Sequence, residues 1–453
     1  MGLLVVVPLI LLMSIKPKLA VFVLMLDIFL LEWLHSTFGL IPRAAIWVKD
    51  LVILVLLIKS LFQISSQKKW SRTPLDVVVV LLFILSLITT VGNEISATTS
   101  LLALRRHLRY IVFFYVLVHL DFEEAFLKKL FSGLIVIALV QVPVSLAEYF
   151  LWYPGIVSGL ASGHFDFVTG TLPRGGSGLL SLFLLSTACL CLSFGMFKEK
   201  VRVFNWQVNP FVLAAVLLVP LPLAMSRATF VFLPFVLGFL LLRWRWQPQR
   251  GLVRRKFLFA YLALFLVLLV LGSRATDYDL KSYLLNPQRA IAEQLTANST
   301  AAGTQIGRFA SLKLIYQLQH TDWFNLIFGF GTGSWSDNYF QNYSGKLWRL
   351  YSDLQAAKTS QIAYYLSELG IAGVVLLLVL LFQLFRMNEI FLKHSADKYW
   401  SAVSYGFSAV VFLMSLALFY VPILDSDATG FLLMTLSAMI FCVQRKRIRD
   451  VQL

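Results

Sequence analysis

Two arginines carry the chemistry this chain could perform. Arg227 lies in Ala224-Met225-Ser226-Arg227-Ala228, a corner between two apolar runs with almost no loop, and Arg308 follows Gly307 inside the polar stretch Arg274 to Ser360. A charge held at a membrane edge is functional by default. A guanidinium is planar and bidentate, the match for a phosphate group. Arg105, Arg106, Arg109, Arg174, Arg274, Arg289 and Arg349 add to this set. The structural alternative for any one of them is pairing with Asp277, Asp279, Asp322 or Asp353, or snorkelling to headgroups.

The polar stretch supplies the remaining candidates. Leu312, Leu314, Ile315 and Leu318 recur at helical spacing, which predicts an amphipathic helix over 311–319 with Arg308 near its start. A turn follows, Phe328-Gly329-Phe330-Gly331-Thr332-Gly333-Ser334-Trp335. Gly329, Gly331 and Gly333 would let backbone approach a ligand and turn N–H groups toward an anion, although a glycine cluster that only breaks a loop has the same appearance. For a general base, the candidates are Asp353, Glu368 and His320. Asp353 and Glu368 rank above His320, because a histidine on an amphipathic loop helix reads as a surface residue. Glu368 also has a structural reading, as an acid that pairs with an arginine near the beginning of a span.

These residues are embedded in a chain of 453 residues that is 59% hydrophobic, with 38 Phe. Its mean hydropathy is +0.79. Such a composition defines an all-α, polytopic membrane protein. Apolar runs at 19–35, 44–58, 75–91, 110–120, 130–151, 178–197, 209–225, 228–242, 257–272, 361–385, 399–421 and 428–444 give twelve spans, and residues 2–15 form a thirteenth or an interfacial segment. The expected organisation is one integrated membrane domain: spans in 1–272, a large loop over 273–360 and further spans in 361–453.

Lysines and arginines alternate across successive spans, from Lys59, Lys68, Lys69 and Arg72 through to the tail Arg445-Lys446-Arg447. By the positive-inside rule those loops are cytoplasmic, which places the 273–360 loop outside. The net charge of +16 is largely this topological signal and argues for no nucleic-acid partner. Cys189, Cys191 and Cys442 all lie in apolar runs and read as small hydrophobes rather than metal ligands or disulfides. No outer cluster has metal-ligand spacing, and Asp425-Ser426-Asp427 reads as a short polar turn.

In order along the chain, Thr169-Gly170-Thr171 before Gly178-Leu179-Leu180, Ser226-Arg227 at a span junction, Gly307-Arg308 opening a loop helix, the glycine-rich turn, and Leu366-Ser367-Glu368-Leu369-Gly370-Ile371-Ala372-Gly373 leading into a span resemble the O-antigen ligase and O-antigen polymerase superfamily. The resemblance covers about residues 105–385. It implies a GT-C-like helical membrane fold with a helical periplasmic loop. It also implies an inverting, metal-independent glycosyltransferase without a cofactor, acting on glycan carried by undecaprenyl diphosphate at the outer side of a bacterial inner membrane. The family's two phosphate-binding arginines fall on Arg227 and Arg308, and Arg174 is a third candidate for the diphosphate that the resemblance implies. Thr359 and Ser360 stand where many members, ligases above all, carry a His-Asn pair. Threonine is no general base at neutral pH. The balance therefore tips toward polymerisation of repeat units, with ligation to lipid A-core or to a protein as the alternative and a solute transporter as the reading from another class. The implied partners are the lipid-linked donor, a glycan or lipid A-core acceptor, the bilayer and a chain-length regulator.

Overall fold

The computed structural model describes residues 13–42, 47–68, 70–152, 168–173, 176–203, 206–224, 227–245, 297–300, 303–336, 344–351 and 359–452. Within them the chain is almost wholly helical. The helices are α1 (Pro17–Phe38), α2 (Val48–Gln67), α3 (Asp76–Gly92), α4 (Ala97–His119), α5 (Glu124–Trp152), α6 (Ser177–Met196), α7 (Pro210–Leu223) and α8 (Arg227–Arg245), then α9 (Arg308–Gln319), α10 (Trp323–Phe328) and α11 (Lys346–Tyr351), and finally α12 (Gln361–His394), α13 (Lys398–Ala417) and α14 (Asp427–Gln452). Two antiparallel hairpins, Val201–Val203 with Trp206–Val208 and Ala297–Thr300 with Gly303–Ile306, are the only strands among the described residues.

Apolar sequence becomes helix here because lipid offers backbone N–H and C=O groups no partners of their own. Eleven of the twelve apolar runs fall on helices, and the run 257–272 lies outside the described residues, as do 2–12. Among the described residues six helices are long and apolar enough to cross a membrane: α1, α5, α6, α12, α13 and α14, the last over Asp427–Arg447. Three shorter stretches, Asp76–Gly92, Pro210–Leu223 and Val231–Trp244, are apolar as well. The twelve or thirteen expected spans exceed this count in part because α2 and α4 carry several charges: Arg105 and Arg109 pair with Asp50, and Lys49 pairs with Glu32 and Asp427.

α6, α13 and α14 form the centre and are covered on most sides. α6 and α13 approach closely at Gly406: a Cβ there would stand 2.6 Å from Ser193 Oγ and 2.9 Å from Leu190 Cα. Ser193 Oγ donates to the Ala402 carbonyl at 2.7 Å, so the small residue and the hydroxyl together set the helix spacing. α8 closes one flank, with Phe239 stacked on Phe412 at 4.5 Å and Trp244 against Phe197 and Tyr405. On the other flank α4 lies along α14, where Phe113 stacks on Phe431 at 5.3 Å.

α12 departs from the sequence expectation of one continuous span over 361–385. Gly370 has φ 66° and ψ −164°, which breaks the helix. A Cβ at Gly370 would stand 2.3 Å from the Ile327 carbonyl, and one at Gly329 would stand 2.5 Å from the backbone of Leu369. Two backbones thus cross at a distance that only glycine permits. The loop satisfies the carbonyls freed by the break: Phe330 N–H donates to Ser367 O at 2.8 Å, Gly331 N–H to Glu368 O at 3.1 Å, and Gln319 Nε2 to Leu366 O at 2.7 Å. The loop helices α9 and α10 are therefore an integral part of the bundle.

Basic residues gather at one end. Arg445 pairs with Asp121 at 2.9 Å, Arg447 with Asp397 at 3.0 Å, Lys18 with Glu123 at 3.1 Å and Lys128 with Glu124 at 2.7 Å, and Arg243 meets Glu389. α14 separates this end from the start of α9 by the 21 residues of Asp427–Arg447, about 30 Å of helix.

Candidate functional site

Arg308 opens α9 from an extended Gly307, which lets Ser311 N–H close the first turn on the Gly307 carbonyl at 2.8 Å. Its Nε donates to the Tyr420 carbonyl at 2.9 Å, and its guanidinium lies over the Tyr420 ring, 4.2 Å from the centroid. One face of the guanidinium is therefore held by a cation–π contact, and one N–H fixes its rotation. Tyr420 belongs to the turn between α13 and α14, and its ring meets Phe232 of α8 edge-on at 5.7 Å. Arg227 begins α8, about 7 Å along the helix axis from Phe232. The backbones carrying the two arginines thus lie at the same end of the bundle, opposite the basic tail. The side chain of Arg227 lies outside the described residues, and so do Arg174, Arg289 and Asp353.

Thr359 and Ser360 hold this end together. Thr359 Oγ1 donates to Ser311 Oγ at 3.0 Å, which ties the approach to α12 onto the first turn of α9. Ser360 Oγ accepts from Ala363 N–H at 3.2 Å and caps α12. Gln361 continues the seam: its Nε2 donates to Asp425 Oδ2 at 2.7 Å and its Oε1 accepts from Leu424 N–H at 2.8 Å.

The three candidate bases part company. His320 caps the far end of α9, exposed, with Nδ1 2.8 Å from the Gln317 carbonyl and its ring stacked on Tyr316. It stands about 18 Å along the helix from Arg308. Glu368 is fully buried and belongs to a different cluster. Its Oε1 accepts from Trp335 N–H and from Ser336 Oγ, both at 3.2 Å, and its Oε2 lies 2.9 Å from His107 Nε2. The glycine-rich turn presents the Trp335 N–H to a carboxyl group, that of Glu368 of the chain itself. Gly329, Gly331 and Gly333 all have positive φ, and they seat the turn on α3 and α4: Asn93 Nδ2 donates to Gly329 O at 3.0 Å, and Ser86 Oγ meets Thr332 Oγ1 at 2.7 Å. The Thr169-Gly170-Thr171 element behaves alike. Thr169 and Gly170 N–H groups donate to Glu148 at 2.9 and 2.6 Å, and Thr171 N–H donates to Gln141 at 2.7 Å.

His107 and Asp425 have no counterpart among the residues expected from sequence. Nδ1 of His107 lies 3.1 Å from Asp425 Oδ1, an ion-pair approach rather than an aligned hydrogen bond, and the ring is enclosed by Tyr364 and Tyr365 with centroids at 4.9 and 5.3 Å. Burial pushes the Asp425 carboxyl up, but His107, Gln361 and the nearby Arg106 hold it below the usual carboxylate range. The turn 425–427, dismissed above as merely polar, is a junction of two ion networks.

The second network joins α1, α2, α4 and α14. Arg109 reaches Asp50 through Nε at 2.8 Å and also pairs with Asp427. Arg105 meets Asp50 at 2.6 Å, Lys49 pairs with Glu32 at 3.2 Å and with Asp427, and Tyr110 donates to Asp427 at 2.6 Å. Among the described residues Arg105 is therefore held by Asp50, and Arg109 by Asp50 and Asp427, while Asp277, Asp279 and Asp353 lie outside the described residues. The available sequence signal was their spacing: residues four apart on a helix share one face and can share one acid.

Fold and hydropathy together define an all-α, multi-pass membrane protein. No family model matches the chain, and no curated protein matches it. Among the described residues no group of His, Cys, Asp or Glu is arranged to hold a metal ion, and the three cysteines are buried and free.

Proposed function

We propose that the chain is a membrane glycosyltransferase that takes glycan from a polyprenyl diphosphate, polymerising repeat units, with transfer to a lipid or protein acceptor as the close alternative. The observation that carries this reading is Arg308, fixed over Tyr420 at the end of the bundle opposite the basic tail, with the start of α8 and its Arg227 at that same end. In that orientation the site faces the periplasm of a bacterial inner membrane. A diphosphate bridging the two guanidiniums gains charge as the glycosyl bond breaks, and the preorganised donors stabilise that charge as it grows. Twelve or thirteen spans, a GT-C-like arrangement and a general base at Asp353 belong to the same reading.

The test uses purified protein in nanodiscs with a defined polyprenyl-diphosphate-linked glycan. Arg308→Lys and Arg227→Lys should each remain folded yet lose about 10² in turnover, the loss typical of removing one preorganised donor. Arg289→Lys should be tolerated, and EDTA should leave turnover intact. Unchanged rates in both Lys variants would remove the site.

A solute transporter is favoured by two features, the broken α12 and the ion network that includes Lys49 and Asp427. In transporters the backbone at a helix break coordinates cargo, whereas here carbonyls 366, 367 and 368 are already taken by the loop. Glycan extension without an ion gradient would decide for the transferase.

A further inference from the structure

His107 stands between two buried carboxylates that no catalytic step above uses. Both ring nitrogens face acceptors, Nε2 toward Glu368 at 2.9 Å and Nδ1 toward Asp425 at 3.1 Å. A neutral imidazole has one N–H, so one of these contacts would set a lone pair against a carboxylate oxygen. With both acids ionised, only the imidazolium is compatible with both contacts. The side chains of His107, Glu368 and Asp425 are 3%, 0% and 6% exposed, so water does not screen the two acids from each other.

Each acid is tied to a different loop at this end of the bundle, Glu368 from within α12 and Asp425 from the turn before α14. Glu368 holds the glycine-rich turn through Trp335 and Ser336, and Asp425 ends the turn that presents Tyr420 to Arg308. Gln361 already ties the second turn to the start of α12. It cannot offset the repulsion between two like charges.

We propose that His107 is a positioning residue, its imidazolium bridging Glu368 and Asp425 and so fixing the spacing between the glycine-rich turn and the Tyr420 turn on which Arg308 rests. Its effect on turnover rests on the glycosyltransferase reading; its effect on geometry does not. Arg106 and Tyr364 also face this cluster, Arg106 adding positive charge near Asp425 and Tyr364 bonding Ser336 at 2.9 Å.

The experiment places spin labels at Trp323→Cys, just before the glycine-rich turn, and at Phe419→Cys, beside Tyr420. Both positions are exposed, and the native cysteines are all buried. Pulsed electron resonance on the full chain in nanodiscs should give a narrow distance distribution with His107 present. His107→Gln should broaden it and lower turnover about tenfold or more, the scale expected for a misplaced binding group. His107→Gln combined with Glu368→Gln removes one of the repelling charges while keeping an acceptor for Trp335 and Ser336, and should restore the narrow distribution. An unchanged width in His107→Gln, or a double variant as broad as the single, would overturn the proposal. If His107→Gln does not fold, the double variant should fold and show the narrow distribution; failure of both would overturn the proposal equally. A wild type with no glycosyl transfer but the expected distances would remove the function and leave the bridge.

Discussion

The two ends of the bundle are both rich in ion pairs, but they hold them differently. At the tail end Arg445–Asp121 and Arg447–Asp397 involve side chains about a third exposed, and Lys18–Glu123 is more open still. At the Arg308 end Lys49 and Arg109 are 5% and 8% exposed and share Asp427. Open pairs of this kind fix orientation through the number of basic residues rather than through any one contact. Buried pairs fix geometry, because each partner left alone becomes an uncompensated charge. The tail end therefore orients the protein, and the Arg308 end shapes it.

Removing one buried acid is the strongest way to break this contrast. Asp427→Asn leaves Lys49 and Arg109 without their shared carboxylate, and Tyr110 without its charged acceptor. Lys49 keeps Glu32 and Arg109 keeps Asp50, so the expected loss is at most about 3–5 kcal/mol, seen as a fall in melting temperature by tryptophan fluorescence in detergent or as failure to accumulate. A variant that melts with the wild type would show that the network adds nothing to stability.

Next in size is Gly370→Ala. Its φ of 66° suits glycine, and the added methyl would meet the Ile327 carbonyl at 2.3 Å. Holding a non-glycine residue in such a region costs about 1–3 kcal/mol, and the clash with backbone adds to that. The effect should be local: limited proteolysis should cut α10 and the glycine-rich turn faster while the α6–α13 centre stays protected. Unchanged cleavage would mean that the break in α12 does not depend on the crossing at Gly329.

These contrasts also explain what the sequence could reveal. The apolar runs were legible because in lipid each helix satisfies its own backbone, so local composition determines local structure. A helix opening near Arg308 was legible for a different reason, periodicity: Leu312, Ile315 and Leu318 recur at helical spacing. The break at Gly370 was not, since glycine is frequent in membrane helices and only Gly329, from a different segment, makes this one special. Nor was the His107–Glu368 pair, whose partners are 261 residues apart and leave no periodic trace. Glu368 could be singled out as an acid near the start of a span, but the arginine expected beside it is a histidine from α4. Asp425 and Asp427 looked like a surface turn because burial is not written in a short polar run between two apolar ones.

The smallest effect belongs to the tail. Arg447 pairs with Asp397 at 3.0 Å, donates to Ser395 at 2.9 Å and lies over Phe391 at 5.7 Å. These contacts are open to solvent on one side, and an exposed pair contributes about 0–1 kcal/mol. Arg447→Gln should therefore shift the melting temperature by no more than a small fraction of the Asp427→Asn shift. It should leave the orientation unchanged, because Arg445, Lys446 and Arg243 keep that end basic. Raising the ionic strength should shrink even this difference, since partly exposed pairs are screened within about 8–10 Å. The Asp427→Asn deficit should persist in the same salt, its charges being shielded from ions by the surrounding helices. If salt erased both deficits equally, the two ends would be alike in kind, and the division between an orienting end and a shaping end would fall.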